Sequence, residues 1–522
     1  MKKNYSCLLF ILSLIGISCL YGYHKIIDYP PYSIHQWRQA DGLSVALNYY
    51  EEGMNFFEPK IHFNYSVEGR AVGEFPVLYY LNAAIWKITG HSHFTARLFN
   101  LLLVYLGLFA LYKTVIEMNN SHFLAMFIPL IVFSSPLIAF YSNNFLVNVP
   151  ALSLMFICWY YFIRYFKDKK IKYLVLLACF ATLSILLRTT MIIGFVPVLL
   201  LFLLEKIRYF KKNIFVNNFW LEGLLLSLPC LSIVFWLVFV RSYNASSDSV
   251  YYLTTIRPIW ELSREEIIKT WHMLSENIMP SVYHPGILFL TGILIMVMLM
   301  VIREISSYMI VFNISILILL LLYLLFWYAN LNVHDYYLIE LFLLIPPLFI
   351  ALADFVKKHL SLIYKSAEIK ILVLTILIFS VGHSTAKTRL KYHSTENIFI
   401  HLFLPEREIE LWDWFHWDYE TRLKAYETIT PYLRSLGIER EDFVVSIPDP
   451  SPNISLYFMD QKGFTSLYQD GKTVREQLDF FNDRGADYLI INDTTLYHTE
   501  NFNEYLQTKI GRYKNIEIFK LP

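Results

Sequence analysis

Residues 7–53 read CLLFILSLIGISCLYGYHKIIDYPPYSIHQWRQADGLSVALNYYEEG, an apolar run followed directly by a polar segment. The run at 7–23 has the length and composition of a membrane span. The preceding lysines also resemble the start of a secretory signal peptide, but a small-residue cleavage pattern is poorly developed and more apolar runs follow. We therefore expect a retained first span, with His35, Arg38 and Asp41 just outside it.

The composition of the whole chain predicts a polytopic α-helical membrane protein. The 522 residues are 56% hydrophobic and 17% charged, whereas a soluble domain carries about a quarter charged residues. The net charge of +1 gives no sign of polyanion binding, so we expect the lipid bilayer and no nucleic acid as a partner. About eleven transmembrane helices are expected, near 7–23, 97–116, 122–141, 145–166, 171–188, 190–205, 218–240, 286–302, 308–328, 337–356 and 369–383.

The basic residues between the spans predict the orientation. With this count of spans, several lysine and arginine clusters fall on one side of the membrane, which the positive-inside rule makes cytoplasmic. The N-terminus is then cytoplasmic in the plasma (inner) membrane, and the C-terminal segment is extracytoplasmic. The clusters are Lys2 and Lys3; Arg164, Lys167, Lys169 and Lys170; Lys206, Arg208, Lys211 and Lys212; and Lys357, Lys358 and Lys365.

The polar tail predicts a small α/β domain. TPYLRSLG indicates a helix that ends at Gly437, FVVSIPD indicates a strand, and VREQLDFFNDRGADYLIIND indicates a helix followed by a strand. YKNIEIFKL is a further expected strand, and alternating helices and strands are typical of α/β domains. We therefore divide the chain into a transmembrane module, 1–383, and an extracytoplasmic α/β domain, 384–522.

The first outer loop, 24–96, contains two expected helices. One covers QWRQADGLSVALNYYEEG and ends at Gly53, and the other covers EFPVLYYLNAAIWKITG and ends at Gly90. The second is apolar over much of its surface, which favours an interfacial helix lying on the membrane. Tyr79, Tyr80 and Trp86 would then lie at the depth of the lipid headgroups.

His35, Arg38 and Asp41 are spaced three residues apart, so neighbours in this trio share a helix face. The spacing fits an Arg38–Asp41 ion pair on a solvated surface. It equally fits a functional carboxylate held at the membrane surface with cations nearby. Gly42 would permit the close approach of another group, because glycine has no side chain. The spacing alone leaves both interpretations open.

The order of several motifs resembles a known family. HQWRQAD follows the first span, GRAVGEFPVLYYLNAAIWKITG comes later in the loop, and TARLFNLL opens the next span. With SSPLIAFYSNNFLVNVPALSLMFICWYYFIRYFK, ACFATLSILLRTTMIIGFVPVLLLF and NVHDYYLIELFLLIPPLFIAL, this order resembles the GT-C membrane glycosyltransferases over about residues 1–380. It is most similar to their protein-mannosyltransferase and lipid A aminoarabinose-transferase branch.

The resemblance implies a polyprenyl-phosphate sugar donor, transfer on the outer face, and a catalytic aspartate early in the first outer loop, which matches Asp41. Two departures are evident. Asn148 stands where family members often have an acidic residue, and Glu74 precedes Phe75-Pro76 where the aminoarabinose transferases often have a lysine. The identity of the donor sugar is therefore not carried over.

The chemistry of such a donor explains why one carboxylate is enough. A glycoside needs an acid for its leaving group, but a lipid phosphate already leaves well. The reaction then needs a base for the acceptor proton, Asp41, and cations for the phosphate. No cofactor is expected. A divalent metal stays open but is unsupported by the sequence, because no DxD motif occurs in the outer loops. The candidates for substrate binding are Arg38, Arg70 and Arg188 for phosphate, and Glu74, His334, His35, Tyr336 and Tyr337.

Each candidate has a structural alternative. Arg188 fits a snorkelling anchor at the end of a span, and Arg70 fits an ordinary loop charge. Glu74 fits a charge favoured at a helix N-terminus, and Tyr336 and Tyr337 fit an aromatic belt. Arg97, which opens a span, is expected to be structural.

The sequence therefore predicts a glycosyltransferase that moves a hexosyl or pentosyl group from a polyprenyl-phosphate donor to a glycan, lipid or protein acceptor of the cell envelope. Two other classes stay open. A transporter or flippase of a lipid-linked glycan would carry charges at the centres of its spans, which are rare here. A non-catalytic scaffold for envelope assembly would bind a lipid phosphate without turnover.

Overall fold

The structure is a computed structural model that describes residues 3–210, 214–249, 256–392, 398–493, 495–499 and 502–522. Most of these residues are helical. The α-helices, in chain order, are α1 (Lys3–Tyr21), α2 (Tyr23–Ile26), α3 (Gln36–Glu52), α4 (Val77–Thr89), α5 (His93–Asn119), α6 (His122–Phe133), α7 (Pro136–Ser142), α8 (Asn148–Asp168), α9 (Ile171–Leu187), α10 (Ile192–Lys206), α11 (Phe219–Ser246), α12 (Arg264–Met273), α13 (Met279–Val282), α14 (Pro285–Met300), α15 (Ser307–Phe326), α16 (Ile345–His359), α17 (Ser361–Lys365), α18 (Ala367–Tyr392), α19 (Ile398–Phe403), α20 (Glu406–Arg422), α21 (Thr430–Ser435), α22 (Ile454–Met459), α23 (Val474–Asn482) and α24 (Leu496–Thr499).

Shorter helical turns connect several of these helices. A π-helical turn covers Leu274–Ile278 between α12 and α13. The 3₁₀ helices are Val67–Gly69, Thr189–Met191, Ile259–Glu261, Ile302–Glu304, Tyr328–Asn332, Asp335–Leu343, Lys424–Thr428 and Asn503–Leu506.

In the described part of the chain, seven helices are long and apolar enough to span a membrane, or up to nine if two bent helix pairs each form one span. These helices identify an integral membrane protein. The bent pairs are α6 with α7, at 77°, and Arg264–Val282 with α14, at 89°. Two shorter apolar helices, Tyr5–Tyr21 and Ile171–Leu187, coincide with two further expected spans. The total of eleven stays a prediction.

The two bends follow from proline. Pro136 and Pro285 each stand at the first position of a helix, α7 and α14. A proline ring fixes φ and has no N–H to donate to the preceding turn, so a helix starts there instead of continuing. This is why a single apolar run at 122–141 folds as two helices.

The C-terminal segment contains a five-stranded mixed sheet. Its strands are β1 (Val444–Ile447), β2 (Gly463–Thr465), β3 (Tyr488–Ile491), β4 (Thr508–Tyr513) and β5 (Ile516–Lys520), in the order β2-β1-β3-β5-β4. β1 pairs in parallel with β2 and β3, and β5 pairs antiparallel with β3 and β4. Helices and strands thus occur where the sequence of the tail predicts them.

The two faces of this sheet pack against different partners, because successive strand residues point to opposite sides. Val445 and Leu489 contact a separate hydrophobic cluster that includes Phe481 of α23. Val444 and Ile490 belong instead to the large core cluster that also contains residues of the membrane helices and of α3. One continuous hydrophobic core therefore joins the sheet to the rest of the molecule.

Backbone pairing also joins the sheet to the first loop, 24–96. Phe63 forms an isolated parallel bridge with Gly463, the first residue of β2. The amide of Gly463 donates to the carbonyl of His62 at 3.1 Å, and the amide of Asn64 donates to the carbonyl of Gly463 at 2.7 Å. A segment of the loop thus lies along the edge of the sheet.

The two helices expected in the first loop are present as α3, capped by Gly53, and α4, capped by Gly90. Two aromatic residues of α4 do not lie among the lipid headgroups, where the sequence analysis places them. Tyr79 and Trp86 are 6% and 0% exposed, so they are buried against protein. The Trp86 indole N–H donates to the carbonyl of Ser92 at 2.9 Å, which explains the burial of its polar atom.

Glu52, at the end of α3, is an electrostatic link to the C-terminal segment. Its carboxylate accepts from Arg440 at 2.9 Å and lies 2.7 Å from Lys462 Nζ. Burial alone would raise the pKa of Glu52, but the hydrogen bonds from Lys462 and Arg440 lower it to about 2 from the ordinary value of 4.5.

We expect this link to make stability depend on pH. Because the pKa of Glu52 is depressed in the folded state, its contribution is present above about pH 4.5 and is lost as the pH falls toward 2. Thermal unfolding of the detergent-solubilised protein between pH 7 and pH 3 should show a smaller acid-dependent loss in Glu52→Gln than in the wild type. Glu51→Gln is the matched control, and an equal change in both variants would contradict the assignment.

Candidate active site

Asp41 lies in the second turn of α3 and is completely buried, with 0% exposure. Asn453 Nδ2 donates to Asp41 Oδ1 at 2.9 Å, and Arg38 Nη1 lies 3.8 Å from Asp41 Oδ2. Arg38 and Asp41 therefore do share a helix face. The surroundings of the carboxylate are protein, so the alternative of an ion pair on a solvated surface is wrong.

Gly42 lets a second helix approach Asp41 closely. A Cβ atom at position 42 would lie 2.5 Å from Cε1 of Tyr79 on α4, well inside van der Waals contact. The Tyr79 hydroxyl donates to Glu74 Oε1, and Arg38 Nη2 donates to Glu74 Oε2 at 2.5 Å. Asp41, Arg38, Glu74 and Tyr79 thus form one connected polar group at the contact of α3 with α4.

His35, which directly precedes α3, contacts a second polar group. This second group lies around Asp335, at the start of the 3₁₀ helix Asp335–Leu343. His35 has a left-handed conformation with φ 54°, and its Nε2 lies 3.1 Å from Asp335 Oδ1. The Tyr141 hydroxyl donates to the same oxygen at 2.5 Å, and Lys391 Nζ lies 3.8 Å from the other. Asp335, which is 3% exposed, therefore holds together residues from three other segments.

His334, Tyr336 and Tyr337 form an aromatic cluster beside His35. The ring of His334 lies 5.6 Å from that of His35, and 5.2 Å from each of the rings of Tyr336 and Tyr337. Burial, followed by the nearby charges of His35 and Arg38, lowers the pKa of His334 to about 4. His334 is therefore neutral near pH 7 and has both a donor and an acceptor nitrogen.

Arg188 reaches the same cluster from the end of α9. Its guanidinium lies 4.6 Å from the centre of the Tyr337 ring, and its Nε donates to Glu340 Oε1 at 2.8 Å. The Thr190 hydroxyl donates to the same carboxylate, which is completely buried. Arg188 is thus fixed by a buried ion pair and a cation–π contact, unlike a freely moving lipid anchor.

Two nitrogen atoms in this cluster are buried without a hydrogen-bond partner in the described part of the structure. They are Arg188 Nη2 and His334 Nδ1, which belong to two residues whose side chains both lie against the Tyr337 ring. Leaving a buried polar atom unpaired costs about 1–3 kcal/mol, so such atoms usually serve a ligand or water. Unpaired nitrogen donors of this kind suit an oxyanion ligand.

Two arginines lie outside these groups. Arg70 pairs with Glu68 at 3.0 Å on a partly exposed loop, so the described contacts do not bring it to Asp41. Arg97 is completely buried and donates to the backbone carbonyls of Tyr29, Pro30 and Asn143, which is the structural role expected for it. The ion pair of Arg70 with Glu68 fits an ordinary loop charge, and its role in phosphate binding stays a prediction.

The structure adds four residues that sequence reasoning missed. Asp335 and Glu340 carry a signal, because acidic residues in an apolar segment are unusual. The aromatic character of Tyr79 predicts a depth at the membrane surface, but it carries no signal for the hydrogen bond of its hydroxyl to Glu74. Asn453 carries no signal, because an asparagine in a polar loop is ordinary. The described residues contain no group of three or more potential metal ligands.

Comparisons with known proteins agree with this architecture. The family model described as dolichyl-phosphate-mannose-protein mannosyltransferase matches residues 73–236. ArnT from Cupriavidus metallidurans bound to undecaprenyl phosphate is similar at TM-score 0.59 and 10% identity, over 100% of this chain and 98% of that one. Its apo structure gives TM-score 0.55 at 9% identity, covering 98% and 97%.

An oligosaccharyltransferase from Archaeoglobus fulgidus, tethered to an acceptor peptide, is similar at TM-score 0.51 and 10% identity, over 94% of this chain and 69% of that one. No curated protein sequence matches the chain significantly. The fold is therefore that of the GT-C superfamily of membrane glycosyltransferases. Within it, the chain resembles the protein-mannosyltransferase and aminoarabinose-transferase branch.

Proposed function

We propose that this protein is a glycosyltransferase that moves a sugar from a polyprenyl-phosphate carrier to an acceptor, with Asp41 as the general base. The observation that carries the proposal is the position of Asp41, a buried carboxylate beside Arg38 at the contact of α3 with α4. The GT-C fold supports it. A carboxylate buried at such a cost is rarely retained without a use.

The reaction needs one proton transfer. As the acceptor oxygen attacks the anomeric carbon, the bond from that carbon to the phosphate oxygen breaks, and Asp41 takes the acceptor's proton. The polyprenyl phosphate leaves as an anion, and a single displacement inverts the anomeric carbon. Glu74 receives hydrogen bonds from Arg38 and Tyr79, so it orients Arg38 beside Asp41.

The leaving phosphate is stabilised by the cluster around Tyr337. Arg188 Nη2 and His334 Nδ1 are among the buried nitrogens that lack hydrogen-bond partners in the described residues, and the phosphate oxygens supply the missing acceptors. Arg38 adds a second positive charge nearby, since it contributes to the lowered pKa of His334. His35, Tyr336 and Tyr337 shape the wall of this site.

The related structures support a lipid phosphate as the carrier. The similar ArnT structure holds undecaprenyl phosphate, and the matching family model is described by dolichyl-phosphate mannose. Both carriers are polyprenyl phosphates. The charge distribution of the loops supports transfer on the extracytoplasmic face of the plasma membrane, with the N-terminus cytoplasmic.

The first test is a comparison of lipids from a strain with and without the gene. We expect the deletion strain to accumulate one polyprenyl-phosphate sugar on the extracytoplasmic leaflet and to lack that sugar in one envelope glycan. Purified protein should then release polyprenyl phosphate from the accumulated lipid when membranes of the deletion strain supply the acceptor. Accumulation on the cytoplasmic leaflet would instead favour a flippase, and an unchanged lipid profile would contradict both.

A further inference from the structure

The hydrogen bond to Asp41 comes from the far end of the chain. Asn453 lies in the C-terminal segment, directly before α22, and is completely buried. An asparagine at this position commonly caps the helix that follows it, yet the Asn453 side chain makes no capping bond. Ser451 Oγ instead accepts from the amide of Ile454 at 3.0 Å. The Asn453 side chain therefore forms its hydrogen bonds with residues outside this helix.

The neighbours of Asn453 determine which way its amide points. Its Oδ1 accepts from the backbone N–H of Phe63 at 3.2 Å and from the Ser44 hydroxyl at 3.3 Å. A backbone N–H only donates, so the oxygen must face Phe63 and the NH₂ group must face Asp41. Because Phe63 also pairs with Gly463 of β2, the first loop and the C-terminal sheet both fix this orientation.

We propose that Asn453 is a positioning residue for Asp41. Through it, the C-terminal segment supplies the hydrogen bond that orients the catalytic carboxylate. The inference rests on the proposed role of Asp41 as the base. The bond from Asn453 fixes the plane of the carboxylate and favours its charged form, which is the form that accepts a proton. The C-terminal segment therefore affects the proton transfer itself, independently of any role in acceptor recognition.

The isosteric change Asn453→Asp separates this role from a structural one. The new side chain keeps an oxygen for Phe63 and Ser44 but replaces the NH₂ donor by a second carboxylate oxygen facing Asp41. Two carboxylates in one site oppose each other's ionisation. We expect kcat to fall by about tenfold to a hundredfold, with KM little changed, and the acid limb of the pH–rate profile to move up by about one pH unit or more.

Arg440→Gln is the matched control, because it disturbs the same interface without touching Asp41. Arg440 contacts Glu52, Asp460 and Asn48 at 2.8–2.9 Å. This variant should lose thermal stability but keep the wild-type acid limb. Activity is followed as release of polyprenyl phosphate from donor lipid extracted from the deletion strain, with membranes of that strain as the acceptor source.

The outcomes distinguish the inference from the proposed function. If Asn453→Asp keeps the wild-type kcat and acid limb, or if Arg440→Gln shifts the limb equally, the positioning role is wrong although Asp41 stays the base. If Asp41→Asn is itself fully active, the proposed function fails and this inference with it. Should Asn453→Asp not fold, Asn453→Ala is measured, and a smaller shift in the same direction is expected because the donor is lost without an added charge.

Discussion

Changing Asp41 to asparagine should abolish transfer and leave the protein folded. The amide has nearly the same shape as the carboxylate, and its oxygen still accepts from Asn453 Nδ2, which lies 2.9 Å away in the wild type. It has no basic oxygen for the acceptor's proton. General-base catalysis contributes about 10²–10⁴-fold, so we expect kcat to fall by at least about a hundredfold.

The measurement is release of polyprenyl phosphate by purified variants of equal thermal stability. Asp28→Asn is the matched control. Asp28 is an exposed carboxylate in the same loop, and its replacement by asparagine changes the charge by the same amount. This variant should transfer at the wild-type rate. Wild-type activity in Asp41→Asn would remove Asp41 from the chemistry and with it the proposed function.

Local patterns predicted the neighbourhood of Asp41 well. The spacing of Arg38 and Asp41, the glycine caps of α3 and α4, and the freedom at Gly42 all follow from helix geometry and backbone sterics. These features depend on residues a few positions apart. The order of motifs along the chain then indicated which of several carboxylates to examine.

Such local patterns do not predict the burial of Asp41. Its partner Asn453 lies 412 positions away, and only the tertiary packing of the C-terminal sheet on the first loop brings the two together. The surroundings of Arg70 were unpredictable for a related reason, because a loop arginine looks the same in sequence whether it faces a ligand or Glu68. Tyr79 and Trp86 are amphipathic, and protein rather than headgroups surrounds them.

Replacing Arg188 by glutamine should lower both the stability of the protein and its transfer activity. The direct loss of activity must therefore be distinguished from a loss that follows from instability. Arg188→Gln leaves Glu340 completely buried without its cation, a change that typically costs about 3–5 kcal/mol. If Arg188 also holds the leaving phosphate, transfer should fall by about 10²–10³-fold in the protein that remains folded. A single variant cannot tell these effects apart.

The double variant Arg188→Gln/Glu340→Gln separates them. Two neutral amides replace the buried ion pair, so the free energy of unfolding should recover to within about 1–2 kcal/mol of the wild type. Transfer should stay low, because the guanidinium that lies beside Tyr337 is then absent. Glu340→Gln alone keeps the guanidinium over the Tyr337 ring and should retain most of the activity. If activity returns together with stability in the double variant, Arg188 is a structural residue, and the phosphate must be bound by Arg38 and His334 alone.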